Sequence, residues 1–387
     1  MRLKVAIIDH LGAHGSSHHF YLFGQAKGLL ANNTDVYLYT NSNTVNPFIN
    51  NLSFYQFYRN VFNRKNKILS LLIYLLGSLK SHFHARYKAC KIFHYHLFGS
   101  SVLVLFNILI AKLLLAKVAI TIHDVKSFSS VSSISIYSRL IYFFSDTIIT
   151  HNKYSLDEIT KKNTSLAHKI SIIPHGNYLP FIEIKEDQNE SRIKLDIEKG
   201  KKVLLFFGMI KKVKGLDILL SSLTEVIKKH SDVVLLIAGK PWKDDFSNYQ
   251  KLIDELAISK YCKLDIKFIS HSDVSNYYSA ADIVVLPYRK IYQSGVLMMS
   301  LSYKKPVVVS DLPSFKEIIE NNRTGYIFQS ENSLDLSRVI NQALDNPKLL
   351  EEIKQNGYDL IATDYKWEMI GKKTVDAYLK INYFSKK

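Results

Sequence analysis

The chain has 387 residues, 47% hydrophobic and 22% charged, which is long enough for two domains of ordinary size and excludes an intrinsically disordered chain. Its formal charge is +17, with 19 Lys and Arg against 7 Asp and Glu through residue 184 and 32 against 27 beyond it, so the amino-terminal half is the basic one. No recognised nucleic-acid motif accompanies that charge, and nucleic acid is not expected as a partner.

The first segment, Leu3–Asp9, is an apolar strand, which leaves no room for a secretory leader and sets the expectation of a cytoplasmic protein. A glycine-containing loop, a helix over Phe20–Leu30 and a strand over Asp35–Thr40 follow. Between Asp35 and Asp124 there is no carboxylate, while ten Lys and Arg fall there among Phe, Tyr and Leu. Such a face would be drawn to an anionic membrane surface. The apolar runs Ile68–Leu79 and Val102–Leu115 are too short to span a bilayer, and read either as buried helices or as amphipathic faces laid on a membrane. Strand Val118–His123, helix Ser135–Phe144, strand Asp146–Thr150, helix Ser155–Lys162 and strand Lys169–Ile173 complete a first doubly wound domain.

The turn Pro174-His175-Gly176-Asn177-Tyr178 and the polar stretch after it break this alternation. The expected organisation is a first domain over 1–180, a linker over 181–201, a second domain over 202–364 and a last helix over 365–387 returning to the first domain. Cys90 and Cys262 fall in different expected domains, so a disulfide is not expected and a reducing compartment is.

In the second half, a buried strand from Val203 ends at Gly208 and runs into a basic turn with Lys211, Lys212 and Lys214, then Gly215 and an amphipathic helix. Further strands are expected over Val233–Gly239 and Ile266–Ser270. Strand Asp282–Pro287 leads to Gln293-Ser294-Gly295, which opens onto a helix over Val296–Tyr303 and a buried strand over Pro306–Ser310. This is a parallel βαβ unit with its loop at the carboxyl edge of the sheet. The N–H groups of Ser294, Gly295, Val296 and Leu297 at a helix start suit a diphosphate, and Lys211 and Lys214 supply positive charge. Asp244 and Asp245 sit in a polar turn, and no metal is expected there.

These two segments resemble the carboxy-terminal domain of the retaining glycosyltransferases of family four, the glycosyl transferases group 1. The resemblance implies α/β architecture with two Rossmann-like domains facing across a cleft, the GT-B arrangement. It implies a hexosyltransferase moving a hexose from a UDP- or GDP-linked sugar, without cofactor or metal, to a lipid-linked saccharide in surface polysaccharide assembly. The expected partners are that nucleotide sugar, the lipid-linked acceptor and the inner face of the cell membrane, bound peripherally. By the same resemblance Gly208, Ser270, His271 and Gln293 would contact the donor sugar or nucleotide, and Gly12, Ala13 and His14 would form the acceptor-side loop. His123, at a strand end, would contact the sugar or handle a proton. Two features depart from the family pattern: Ile291 and Met299 stand where many members carry glutamates, and Met209 stands where a basic residue usually follows the glycine. A non-catalytic nucleotide-binding or membrane-binding partner and a nucleotide-sugar epimerase are the alternative readings. The pairs His82/His84 and His94/His96 read as structural and His175 as a turn residue, since no carboxylate lies near the pairs in sequence.

Overall fold

Short runs of β-branched residues alternate with amphipathic helices along the whole chain, and each run becomes a parallel strand. The computed structural model describes residues 2–14, 17–62, 65–125, 136–161, 163–183 and 186–384. Elements in the first part are β1 (Leu3–Ile8), α1 (His18–Ala31), β2 (Thr34–Asn41), β3 (Ser53–Tyr58), α2 (Lys67–Tyr87), β4 (Ile92–Leu97), α3 (Val102–Leu113), β5 (Lys117–Ile122), α4 (Ile136–Phe144), β6 (Thr147–Thr150), α5 (Lys153–Thr160) and β7 (Ile170–Ile172). Then follow α6 (Gln188–Lys194), β8 (Lys202–Phe207), α7 (Leu216–Lys229), β9 (Val233–Ala238), α8 (Phe246–Glu255), β10 (Cys262–Asp265), α9 (Val274–Ala280), β11 (Ile283–Leu286), α10 (Gly295–Ser302), β12 (Val307–Ser310), α11 (Pro313–Lys316), β13 (Tyr326–Phe328), α12 (Ser333–Asp345) and α13 (Pro347–Asp364), with α14 (Trp367–Phe384) last.

The chain divides into one unit of residues 1–176 with 365–387 and a second of residues 177–364. The first holds a seven-stranded sheet in the order β3-β2-β1-β4-β5-β6-β7, and the second a six-stranded sheet in the order β10-β9-β8-β11-β12-β13. Every described pairing is parallel. In each sheet the winding reverses once, between β1 and β4 and between β8 and β11. Loops leave such a reversal in opposite directions, opening a crevice at the carboxyl ends of the two strands.

Helix α14 belongs to the first unit. Trp367 fills the space over Gly24 and Gly176, where an added Cβ would lie 2.0 and 2.4 Å from its ring. Gly28 and Gly371 let the α1 and α14 backbones touch, so that a Cβ on either would lie 2.1 Å from a carbonyl oxygen.

Several expectations are corrected. The segment read as a linker over 181–201 carries α6, and Arg192 of that helix reaches Asp282 at 2.7 Å and the Ala280 carbonyl at 3.0 Å. The division falls at Gly176 and Asn177, and residues 177–201 belong to the second unit. The strand expected over 266–270 is displaced to β10, because Cys262–Asp265 is the stretch that pairs with Leu235–Ala238.

Helix α2 is not a buried core helix. Ile68, Leu72 and Leu76, spaced one helical turn apart, are 73%, 51% and 66% exposed. By length and composition alone its 21 residues would cross a membrane, against the reading that no run was long enough; a core helix can pass the same test. Cys90 and Cys262 are free thiols in different units.

Candidate active site

In the second unit the reversal point between β8 and β11 is lined by glycine. Gly208 follows β8 with φ +102°, and its N–H reaches the Ala238 carbonyl at 2.9 Å. Gly215 has φ +67°, and a Cβ there would stand 1.9 Å from the Pro287 carbonyl. Only glycine allows both the left-handed backbone and that approach. The basic turn is tied to the end of β11 by the Arg289 N–H on the Val213 carbonyl at 2.9 Å and by a two-pronged Arg289–Asp217 pair at 2.8 and 2.6 Å. Lys214 then lays its ammonium 3.7 Å from the centroid of the buried Tyr288 ring.

Helix α10 starts beside this turn. The side chain of Val296 is 3.4 Å from where a Gly208 Cβ would sit. Ser294 caps the helix by accepting the Leu297 N–H at 3.2 Å. Leu297, expected to offer its amide to a ligand, therefore already has an acceptor. Gly295 and Val296 occupy the first turn, where helix N–H groups lack intrahelical partners, and among the described residues no acceptor stands against them. The Gln293 Oε1 atom is buried with no hydrogen-bond partner, a group that a ligand hydroxyl would satisfy.

The structure thus brings together Gly208, Lys214, Gln293, Ser294, Gly295, Val296 and Leu297. Lys211 precedes the short 3₁₀ turn Lys212–Lys214 and accepts the Lys214 N–H on its carbonyl at 2.8 Å. Ser270 and His271 lie past β10, two strands from β8, where the Ser270 hydroxyl contacts Ser272 and Asp273 at 2.6 and 2.7 Å. Ile291 is buried, its carbonyl accepting the Ser314 hydroxyl at 3.0 Å, and Met299 is half-buried within α10. Asp245 caps α8, and Asp244 accepts the Tyr249 hydroxyl at 2.7 Å.

In the first unit the reversal point lies between β1 and β4. Asp9 follows β1, accepts the Gly12 N–H at 2.6 Å and stands 3.1 Å from His18 Nε2. Burial pushes the Asp9 carboxyl up, yet the His18 ring and the Gly12 N–H hold it below its ordinary value. Gly12 has φ +45°, the Ala13 N–H bonds Thr44 Oγ1 at 2.9 Å, and the His14 ring stacks on Phe62 at 3.7 Å.

His123 is 2% exposed at the end of β5. It sits between His96, Nδ1 to Nε2 at 3.1 Å, and His151, Nε2 to Nδ1 at 3.2 Å. Burial, with neighbouring imidazoles adding to it, holds His123 and His96 well below the usual histidine range, so both are neutral at pH 7. Residue spacing missed this group. His18, His96, His123, His151 and His175 come from separate elements and meet only because parallel strands end side by side. His175 is buried in that group and not a surface turn residue; its ring lies 5.7 Å from that of His151. His94 bonds Thr121 and Tyr378, and His82 bonds the Ser78 carbonyl and the Tyr95 hydroxyl, both structural as expected.

Residues 187–360 match the family model described as Glycosyl transferases group 1. Spore coat protein SA of Bacillus subtilis is 26% identical over 249 residues, covering 60% of this chain and 64% of that protein. A lipopolysaccharide 1,2-N-acetylglucosaminetransferase of Salmonella typhimurium is 26% identical over 216 residues, covering 54% and 55%. The chain spans about three fifths of the length of such relatives. Among solved structures, Anabaena HepE in complex with UDP and glucose superposes with a TM-score of 0.76 at 14% identity, over 98% of this chain and 100% of that one. The fold is that of GT-B glycosyltransferases, and residues 187–360 match a glycosyl transferases group 1 domain.

Proposed function

We propose that this protein is a glycosyltransferase that takes a hexose from a nucleoside diphosphate sugar, UDP- or GDP-linked, and adds it to a lipid-linked saccharide during surface polysaccharide assembly. The observation that carries the reading is the β8–β11 reversal point, where Gly208, Lys214 and the start of α10 converge around a buried, unsatisfied Gln293 oxygen. Breaking the anomeric bond leaves a diphosphate whose growing charge needs stabilisation. Lys214 and the Gly295 and Val296 amides supply it from fixed positions, which removes the need for a metal at that step. HepE, solved with UDP-glucose, and the lipopolysaccharide transferase support this donor and acceptor chemistry by likeness.

In the first unit, neutral His123 is the proton-handling group, and the loop Gly12-Ala13-His14, pinned by Asp9 and Thr44, shapes the acceptor side. The exposed apolar stripe of α2, among lysines and without carboxylates, would lie on the anionic inner face of the cell membrane and bring the enzyme to its acceptor.

The test is thermal shift against UDP, GDP and TDP and their sugars, with and without chelator, followed by transfer of labelled sugar to membrane extracts. A shift with one diphosphate that survives chelation, with labelled lipid formed, supports the reading. Binding without transfer would assign the protein to a non-catalytic partner role, as the absence of carboxylates at Ile291 and Met299 also allows. A sugar of altered configuration formed without acceptor would make it an epimerase.

A further inference from the structure

A row of buried contacts crosses the carboxyl edge of the first sheet. Gln25 Oε1 meets His96 Nε2 at 3.0 Å, His96 Nδ1 meets His123 Nε2 at 3.1 Å, His123 Nδ1 meets His151 Nε2 at 3.2 Å, and His151 Nδ1 meets the Ile173 carbonyl at 3.0 Å. Both ends are carbonyl oxygens, which can only accept. Four contacts need four hydrogens, and three neutral imidazoles carry one N–H each, so the row is one hydrogen short.

The ends decide where the hydrogens go. Ile173 takes the Nδ1 hydrogen of His151, and Gln25 takes the Nε2 hydrogen of His96. With the His123 hydrogen on Nδ1, its bond to His151 is made, and the lone pairs of His96 Nδ1 and His123 Nε2 face each other across 3.1 Å. A cation between or beside them satisfies both lone pairs.

His18 supplies a third donor. Its ring centroid lies 5.3 Å from that of His96 and 5.2 Å from that of His123. The three residues each offer a ligand atom, all within 4.8 Å of one another, and all three are buried. In a tetrahedral zinc site with bonds of 2.0–2.1 Å the ligand nitrogens stand about 3.3 Å apart, close to the His96–His123 separation. Outer partners are also in place: the Asp9 carboxylate on His18, the Gln25 carbonyl on His96 and His151 on His123. Ligating histidines are oriented by partners of this kind.

We propose that His18, His96 and His123 bind one Zn2+ ion, with Asp9, Gln25 and His151 as positioning residues. Three imidazoles leave a fourth position for water or another ligand. The ion takes the place of the missing hydrogen, and every contact in the row is then satisfied. Bound zinc also occupies the His123 lone pair and would therefore inhibit any proton transfer there; that consequence rests on the proposed function, whereas binding does not.

The experiment uses the full chain, stripped with chelator, titrated with Zn2+ by calorimetry and with Co2+ by visible absorption. One Zn2+ per chain at micromolar or tighter affinity is expected, with the intense d–d bands of a four-coordinate Co2+ site. His96→Gln and His18→Asn should each weaken binding at least ~100-fold, and Asp9→Asn about 10- to 100-fold. The exposed His168→Asn should bind as the parent does. Melting curves without metal check that each variant folds, and the Co2+ spectrum of the unmodified chain reports the ligand set without any variant. Equal binding by His96→Gln and the parent, an octahedral Co2+ spectrum, or no saturable binding would overturn the proposal. Absence of binding would assign the row to a turned-over Gln25 amide, whose N–H closes it without a cation. Transfer activity lost on zinc addition and restored by chelator would tie the site to catalysis; a protein with no transfer activity but intact zinc binding would overturn the function alone.

Discussion

The Lys214 ammonium lies 3.7 Å from the centroid of the Tyr288 ring, so a cation from the turn after β8 is held on an aromatic face at the end of β11. A buried ring restrains a lysine in a way that solvent does not, and such contacts contribute about 0.5–2 kcal/mol. Replacing Lys214 with Ala should lower kcat/KM for the nucleotide sugar about 100-fold or more, the usual cost of losing one preorganised charge-stabilising group. Lys214→Arg, which keeps the charge, should retain more activity than Lys214→Ala. Steady-state kinetics on both variants decides this, and equal activity in the parent and Lys214→Ala would remove the lysine from the donor site.

Gly215→Ala should destabilise the second unit. The new Cβ would stand 1.9 Å from the Pro287 carbonyl at a backbone angle of φ +67°, and strain of this kind costs about 1–3 kcal/mol. Urea unfolding should show a lower midpoint with an unchanged slope.

Asp282 organises the start of the second unit. It accepts the Val203 N–H at 2.7 Å and holds Arg192 at 2.7 Å and Gln188 at 3.0 Å, joining α6 to the sheet. Asp282→Ala should cost about 2–4 kcal/mol, because the half-buried Arg192 loses its counter-charge and a backbone donor loses its acceptor. The α6 region should become the first site of proteolysis in that variant. Unchanged stability would return residues 181–201 to the status of a loose linker.

Lys305 donates to the Ser279 and Ala281 carbonyls at 3.2 and 2.9 Å, and burial pulls its pKa down to about 8. In the unfolded chain a lysine titrates near 10.4, so between those values the unfolded state binds more protons and stability rises with pH. The contribution is present above the unfolded value and is lost as pH falls through about 8. Denaturant curves between pH 7.5 and 10.5 should show a gain on the order of 2–3 kcal/mol in the parent relative to Lys305→Met. Parallel pH profiles of the two proteins would contradict it.

Ile68, Leu72 and Leu76 should dip into anionic lipid. Flotation with phosphatidylglycerol vesicles should recover the parent protein, and less of it at high salt, since the basic side chains act through a screened field. Leu72→Ser with Leu76→Ser should lose flotation while leaving the melting temperature unchanged, as both side chains are already in water. If the double variant floats equally well, α2 is not the membrane-binding face.

Periodicity by itself determined the alternating strands and helices, the two Rossmann-like units and the loop Gln293-Ser294-Gly295 at a helix start, because strand burial and helix amphipathicity are local patterns. Gly208 and Gly215 were legible for a similar reason: a glycine at a strand end or before a helix marks a tight turn wherever the chain goes next. Local pattern could not show that residues 181–201 carry a docked helix, since α6 is polar and is held by Arg192 and Gln188 on Asp282 and the Ala280 carbonyl, far away in sequence. Nor could it show that Ile68, Leu72 and Leu76 of α2 are left exposed, because the same composition serves a core helix. The histidine row shows most plainly what tertiary structure decides. His18, His96, His123 and His151 are scattered over more than a hundred residues, and only the winding of a parallel sheet, which sets the carboxyl ends of β1, β4, β5 and β6 side by side, brings their nitrogens within reach of one another.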